Sequence, residues 1–259
     1  MSREASGLPP DFWEALPLGR GVRLITRDAC DVAAFDKPAG VLSHPNAPKD
    51  EPRALLTCAY DARGECYVWP AGGEAGPRRL WLLNRLDSAT SGVILAAAEE
   101  TVARAIKALF AGKRVRKVYH AVVFGAPRAE EQVWRDRLAV EKRGGRIRTG
   151  ATGGLPAETG FAVLRRRAGV PPLVLVRLEP RTGRSHQLRV QCARRGLPIV
   201  GDQTYGDFRL NREFARRTGW KRLFLHSYEV HLRYEAGGRV WEFTAKVEPP
   251  PEFAAALEG

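Results

Sequence analysis

The sequence predicts an α/β (α+β) fold built on a mixed, largely antiparallel sheet with flanking helices. Three observations carry this. Short runs rich in Val, Ile, Leu and aromatic residues recur along most of the chain, as strands do. Few segments show the helical period, so there are few crossover helices of the kind a parallel sheet requires. The length of 259 residues, 44% of them hydrophobic, is enough for a sizeable core in one large or two small domains.

Taken in order, residues 1–20 are punctuated by Pro and Gly and carry apolar anchors at Phe12, Trp13 and Leu16. They are expected to form an irregular N-terminal arm on a domain spanning 21–259. Residues 22–25 and 32–35 read as short strands around a turn at 28–31. Lys37-Pro38-Ala39-Gly40 is a turn, because Pro and Gly fix the backbone there. Lys37 could face a phosphate or merely end the strand. Residues 54–60 are compatible with a short helix, and 72–79 with a loop of Gly, Pro and Arg. Leu80-Trp81-Leu82-Leu83 and Val93-Ile94-Leu95-Ala96-Ala97-Ala98 are apolar runs flanking a polar break, as buried strands flank a loop.

Residues 99–112 form the clearest helix. Val102, Ile106, Leu109 and Phe110 make one stripe, Glu99 and Glu100 sit at the positive end of the dipole, and Gly112 suits the C′ position. Residues 118–124 alternate as a strand, with Tyr119 and Ala121 opposite Val118 and His120. Residues 135–150 are highly charged, and Gly144-Gly145 marks a hairpin tip, either solvated or a basic finger against a polyanion. Residues 157–164 and 173–178 read as adjacent strands. Residues 182–196 read as loop then helix, with Ser185 as N-cap and Gly196 as C′ residue. A short basic helix is expected within 212–217, and a closing strand pair at 223–232 and 239–245. Pro249-Pro250-Pro251 is expected to end the fold.

The formal net charge of +13 favours a polyanionic partner, nucleic acid first. Residues 1–10 contain no apolar signal core, and no apolar run approaches the ~18 residues of a membrane span. Cys30, Cys58, Cys66 and Cys192 make no C-x-x-C pair, which argues against structural zinc. The five histidines are scattered, which disfavours a metal-dependent nuclease. The expectation is a cytoplasmic monomer without metal, cofactor or membrane contact.

The loop between the two apolar runs is Asn84-Arg85-Leu86-Asp87-Ser88-Ala89-Thr90-Ser91-Gly92. It resembles the Arg-Leu-Asp-x-x-Thr-Ser-Gly signature of the RluA-type RNA pseudouridine synthases. Four more segments resemble that family in the same order. They are Asp36-Lys37-Pro38-Ala39-Gly40-Val41-Leu42-Ser43-His44-Pro45, Lys117-Val118-Tyr119-His120-Ala121-Val122-Val123-Phe124-Gly125, Thr182-Gly183-Arg184-Ser185-His186-Gln187-Leu188-Arg189, and Gly196-Leu197-Pro198-Ile199-Val200-Gly201-Asp202-Gln203-Thr204-Tyr205-Gly206. The resemblance covers about residues 36–250, and the fixed order of the segments is what makes the signal specific.

The resemblance implies a pseudouridine synthase fold with a central catalytic cleft, without the separate S4-type RNA-binding domain of many relatives. It implies that Asp87 is the catalytic carboxylate, as nucleophile or as general base. Arg189 is implied as the guanidinium that keeps it ionised, and Tyr119 as the ring that stacks on uracil and takes or relays the C5 proton. Arg85 would be the wedge that fills the space of a flipped base. Lys37, Lys117, Arg184, His186, Gln187 and Leu188 are the remaining substrate-binding candidates. The implied partner is structured RNA, ribosomal or transfer; the alternative is a non-catalytic RNA-binding protein with the same fold. Asn84 and Gln191 depart from the family pattern, each standing where His is common, and put substrate choice in question.

Overall fold

A computed structural model describes residues 8, 11–71, 76–143 and 146–258. Two compact units emerge, one of residues 1–115 and 230–247, the other of 116–229 and 248–259. The tip residues Gly144 and Gly145 lie outside the described residues, as do 72–75 of the loop foreseen at 72–79, whose last two residues, Arg78 and Arg79, belong to a strand instead.

In the first unit, β1 (Arg23–Arg27) and β2 (Val32–Lys37) form a hairpin around the Asp28 turn. The Asp28 carboxylate closes that turn by accepting from Cys30 N and Val32 N, as Asp does in tight turns. A 3₁₀ turn, Pro48–Arg53, precedes β3 (Ala59–Asp61), β4 (Cys66–Trp69), β5 (Arg78–Leu82) and β6 (Ser91–Ala97). These pair antiparallel as β3-β4-β5-β6, and β2 also pairs antiparallel with β6. All seven residues of β6 are buried, which is why it reads as an unbroken apolar run and not an alternation.

Helix α1 (Glu100–Ala111) follows, and its stripe of Val102, Ala103, Ile106 and Leu109 packs on Val93, Leu95 and Ala97 of β6. The helix ends differently from the expectation. Gly112 keeps a negative φ as the C-cap, and Lys113 takes the left-handed conformation at φ 58°. Val230, Leu232 and Tyr234, with Phe243, Ala245 and Val247 of the later strands, complete this core.

Phe12, Trp13 and Leu16 are buried, and Trp13 Nε1 donates to Asp31. The short helix expected at 54–60 is absent. Ala54, Leu55 and Leu56 are all fully buried, and a lone helix can bury one face only. They form an extended segment instead, bonded Leu55 N to Leu42 O and Gly19 N to Leu55 O.

In the second unit, β7 (Arg116–Phe124), β8 (Glu131–Arg143), β9 (Arg146–Arg167) and β10 (Leu173–Pro180) pair antiparallel in the order β7-β10-β9-β8. The hairpin expected at 135–150 is longer than foreseen, because β9 runs on for 22 residues through the strand expected separately at 157–164. Then come α2 (Gln187–Arg194) and α3 (Phe208–Thr218). Strands β11 (Leu225–Ala236) and β12 (Arg239–Lys246) pair with one another, and the chain passes from the second unit to the first within β11.

The three prolines do not end the fold, because a further turn, α4 (Glu252–Ala255), buries Phe253 against Phe224 with ring centroids 5.1 Å apart. Among the described residues no helix is long and apolar enough to cross a membrane, and no group of three metal-ligating side chains occurs.

Candidate functional site

The loop 83–90 joins the paired strands β5 and β6, and its backbone is tied down at several points. Leu83 N bonds to Leu95 O at its start, and Thr90 N to Asp87 O at its end. Asn84 Oδ1 accepts from Leu95 N, so this departure from the family pattern splices the loop to β6. Ser43 Oγ donates to Leu86 O and accepts from Leu86 N, at 2.7 and 3.0 Å. Gly40 N donates to Ser88 O, and so does Lys37 Nζ. Each bond consumes a backbone group that a loop would otherwise leave to water. Asp87 is left half-buried and Arg85 exposed, two residues apart on a loop whose own backbone is fixed.

Lys37 is fully buried, and its ammonium donates to the carbonyls of Pro38, Val41 and Ser88. Of the two readings of Lys37, the phosphate-facing one does not suit a buried ammonium: it clasps its own turn to the Asp87 loop. Tyr60 stands nearby in the field of Arg85. Burial raises its phenol to about 12, Glu65 adds to this, and Arg85 opposes it. The Tyr60 ring stacks on His44 with centroids 4.7 Å apart. Sequence reasoning passed over Ser43 and Tyr60. Ser43 lay inside a quoted motif with no role assigned, and Tyr60 lay in a stretch without pattern.

In the second unit, Tyr119 is half-buried on β7, opposite Leu178 of β10. The next residue, His120, points to the other face and stacks on Tyr228 with centroids 4.0 Å apart. Burial pulls the Lys117 ammonium below the usual lysine range.

Helix α2 begins at Gln187, with His186 in the left-handed conformation (φ 52°) at the N-cap, so Ser185 is not the cap. Gln187 organises the turn instead. Its Oε1 accepts from Thr182 Oγ1 and Arg184 N, and its Nε2 donates to Glu158 O and Thr159 Oγ1. Gln187 and Leu188 are both buried, which makes them supports of the turn and not surface contacts. Arg184 donates to Pro156 O, and His186 Nδ1 lies 2.8 Å from Tyr205 Oη.

Arg189 is buried and bidentate on Asp202, with Nε to Oδ2 at 2.7 Å and Nη2 to Oδ1 at 2.8 Å. Its guanidinium carbon lies 5.2 Å from the Tyr205 ring centroid, in cation–π contact. Burial alone would raise the Asp202 carboxyl. The hydrogen bond and charge of Arg189, with Thr204 N and Tyr205 N, outweigh it and hold the group below the usual carboxylate range.

The loop carrying Asp202 is itself clamped, Gly201 N to Asn211 Oδ1 and Asn211 Nδ2 to Asp202 O. Gly201 is required here: φ is 77°, and a Cβ would fall 1.7 Å from Arg222 O. Gln191 is fully buried between Thr159 Oγ1 and Asp136, where it joins α2 to the β8–β9 hairpin. Asp202 and Tyr205 were missed as individuals, although the segment containing them had been singled out. An Asp–Arg pair separated by thirteen residues has no local spacing signal.

Comparison with known proteins agrees with this reading of the motifs. Residues 31–194 match the family model described as RNA pseudouridylate synthase. The chain is 31% identical over 229 residues to "tRNA pseudouridine synthase C" of Yersinia pestis, an alignment that covers 85% of this chain and 84% of that one. It is 35% identical over 171 residues to "Ribosomal large subunit pseudouridine synthase C" of Vibrio cholerae, covering 66% of this chain and only 53% of that one. In fold it is similar to human RNA Pseudouridylate Synthase Domain Containing 4, with TM-score 0.65, 24% identity, and 90% and 91% of the two chains covered. The chain belongs to the RNA pseudouridylate synthase family, isomerases that act on RNA.

Proposed function

We propose that this enzyme converts uridine to pseudouridine in a structured transfer or ribosomal RNA, with Asp87 as its catalytic carboxylate. The reaction breaks the N1–C1′ bond, turns the uracil, rejoins it through C5 and releases the C5 proton. It exchanges one bond to carbon for another, so it needs no redox cofactor, and a carboxylate can serve without metal. What carries the reading is the loop 83–90. A carboxylate acting at the sugar must be held still and reachable, and Asp87 is half-buried on a backbone pinned by Ser43, Lys37 and Leu95. Arg85, exposed two residues away, suits a wedge that replaces a flipped base.

The resemblance assigns Tyr119 to the uracil ring and the C5 proton, and Arg189 to charge control in the same reaction. Lys117, Arg184 and His186 are proposed RNA contacts. Residues 21–259 carry the activity as a cytoplasmic monomer, and 1–20 are an arm. Transfer RNA is the substrate to test first, because the relative named for it is matched over 84% of its length.

The test is tritium release from RNA labelled at uracil C5, taken from cells lacking the protein. Wild type releases tritium and Asp87→Asn does not. Tight RNA binding without release by the wild type would favour a binding protein that only shares the fold.

A further inference from the structure

Helix α3 spends stability on a row of like charges. Arg209, Arg212 and Arg216 are all exposed and, at 3.6 residues per turn, fall within about 60° of arc. Spacings of three and four residues bring like charges together, which is unfavourable. Arg209 sits in the first turn, where the dipole disfavours a cation and Asp207 at the cap is the one acid, whereas Arg216 sits in the last turn, where the dipole favours it.

The helix has one acid, Glu213, and it stands off that row. It reaches Arg209 at 3.7 Å and Arg217 at 3.9 Å. Arg212 and Arg216 have no acidic partner among the described residues. Phe208, 55% exposed, flanks the row one step further round. The opposite face is firmly seated. Phe214 packs edge-on against Phe224 with centroids 5.5 Å apart, Asp207 caps the helix through Leu210 N, and Asn211 holds the Asp202 loop.

We propose that this face of α3 is a separate RNA-docking surface, gripping consecutive phosphates with Arg209, Arg212 and Arg216 while Phe208 offers a ring to an unstacked base. The proposal rests on RNA being the substrate, and goes beyond it in naming a surface built from none of the residues assigned to the reaction. A charge row that costs helix stability is explained when a polyanion neutralises it, and phosphate contacts supply affinity and position without reading sequence. Its place on a rigid, capped helix suits positioning.

The experiment is direct titration of an unmodified transfer RNA transcript across a range of salt, with KM measured alongside. The triple variant Arg209→Ala/Arg212→Ala/Arg216→Ala keeps the helix, since Ala is the best helix former. Its Kd is expected to rise on the order of tenfold near 0.15 M salt, and its log Kd against log salt slope to fall by about 2–3, at roughly 0.7–0.9 per lost phosphate contact. A control variant, Arg128→Ala/Arg165→Ala/Arg239→Ala, removes the same charge from exposed positions elsewhere and is expected to bind as wild type.

Equal losses in both triples, or none in the α3 triple, would overturn the proposal. So would α3-dependent binding to phosphatidylglycerol vesicles without any effect on RNA. Binding is read without turnover, so RNA held through α3 with no tritium release would refute the reaction and leave this surface standing.

Discussion

The Asp87 loop is held through its backbone, whereas Arg189 is held through its side chain. In the first, Ser43, Lys37 and Asn84 bond to the backbone of the loop and its neighbouring strand, and the Arg85 side chain remains exposed. In the second, the guanidinium is itself the fastener, bidentate on buried Asp202 and in cation–π contact over Tyr205. The difference separates two kinds of mutational outcome. Where support goes to the backbone, exchange of the proposed catalytic side chain is expected to cost the fold less. Where the proposed functional group is also the fastener, activity and stability are expected to fall together.

The sharpest test of this contrast is Asp87→Asn. Turnover is expected to fall roughly 10³-fold or more, as for loss of a catalytic acid or base, with a smaller fall in melting temperature than Arg189→Ala produces. A large drop in melting temperature would break the comparison at its first term.

Next is Arg189→Ala, which strands the buried Asp202 carboxylate and is expected to cost about 3–5 kcal/mol, a fall of roughly 10 °C in a chain of this size. Thermal melts with and without the substitution decide it. The same pair has a pH signature. The Asp202 carboxyl is lowered in the folded state, so its contribution is present above the ordinary aspartate value of about 3.9 and is lost as pH falls through the lowered one. The stability advantage of wild type over Asp202→Asn is therefore expected to hold at neutral pH and to shrink in acid.

Ser43→Ala leaves both backbone groups of Leu86 without their partner and is expected to cost about 1–3 kcal/mol, with a lower kcat because the loop slackens. Unchanged turnover would show that Asp87 does not depend on that pin. The smallest stability effect is expected for Arg85→Ala, within about 0.5 kcal/mol for an exposed side chain. Its signature lies in KM, raised more for folded than for flexible RNA, and equal changes on both would remove the wedge role.

Much of this was legible in the sequence because it is local. The α1 stripe follows from the 3.6 period, the Tyr119 strand from the period of 2, and the runs on either side of Asp87 from unbroken apolar spelling, each within a dozen residues. The motif order was enough to point to the family. Legibility failed where a residue's environment comes from distant chain. Residues 54–56 carry a helix-compatible spelling but are fully buried and bonded to residues 13 and 36 positions away in sequence, so an extended path is taken. Lys37 looked like a phosphate ligand because a lysine in a turn is normally solvated. Nothing nearby in sequence announces that Ser88 O, 51 residues on, completes its cage.

The sequence alone determined the fold class, the basic surface, the Arg85–Asp87 loop and the segments worth examining. These depend on residue type, spacing and order, which a chain displays directly. Tertiary structure alone decided which polar groups are spent. Gln187 and Gln191 became struts, Lys37 a clasp, and Asp202 the partner of Arg189, because a buried polar atom must find a partner wherever the fold brings one within hydrogen-bond reach.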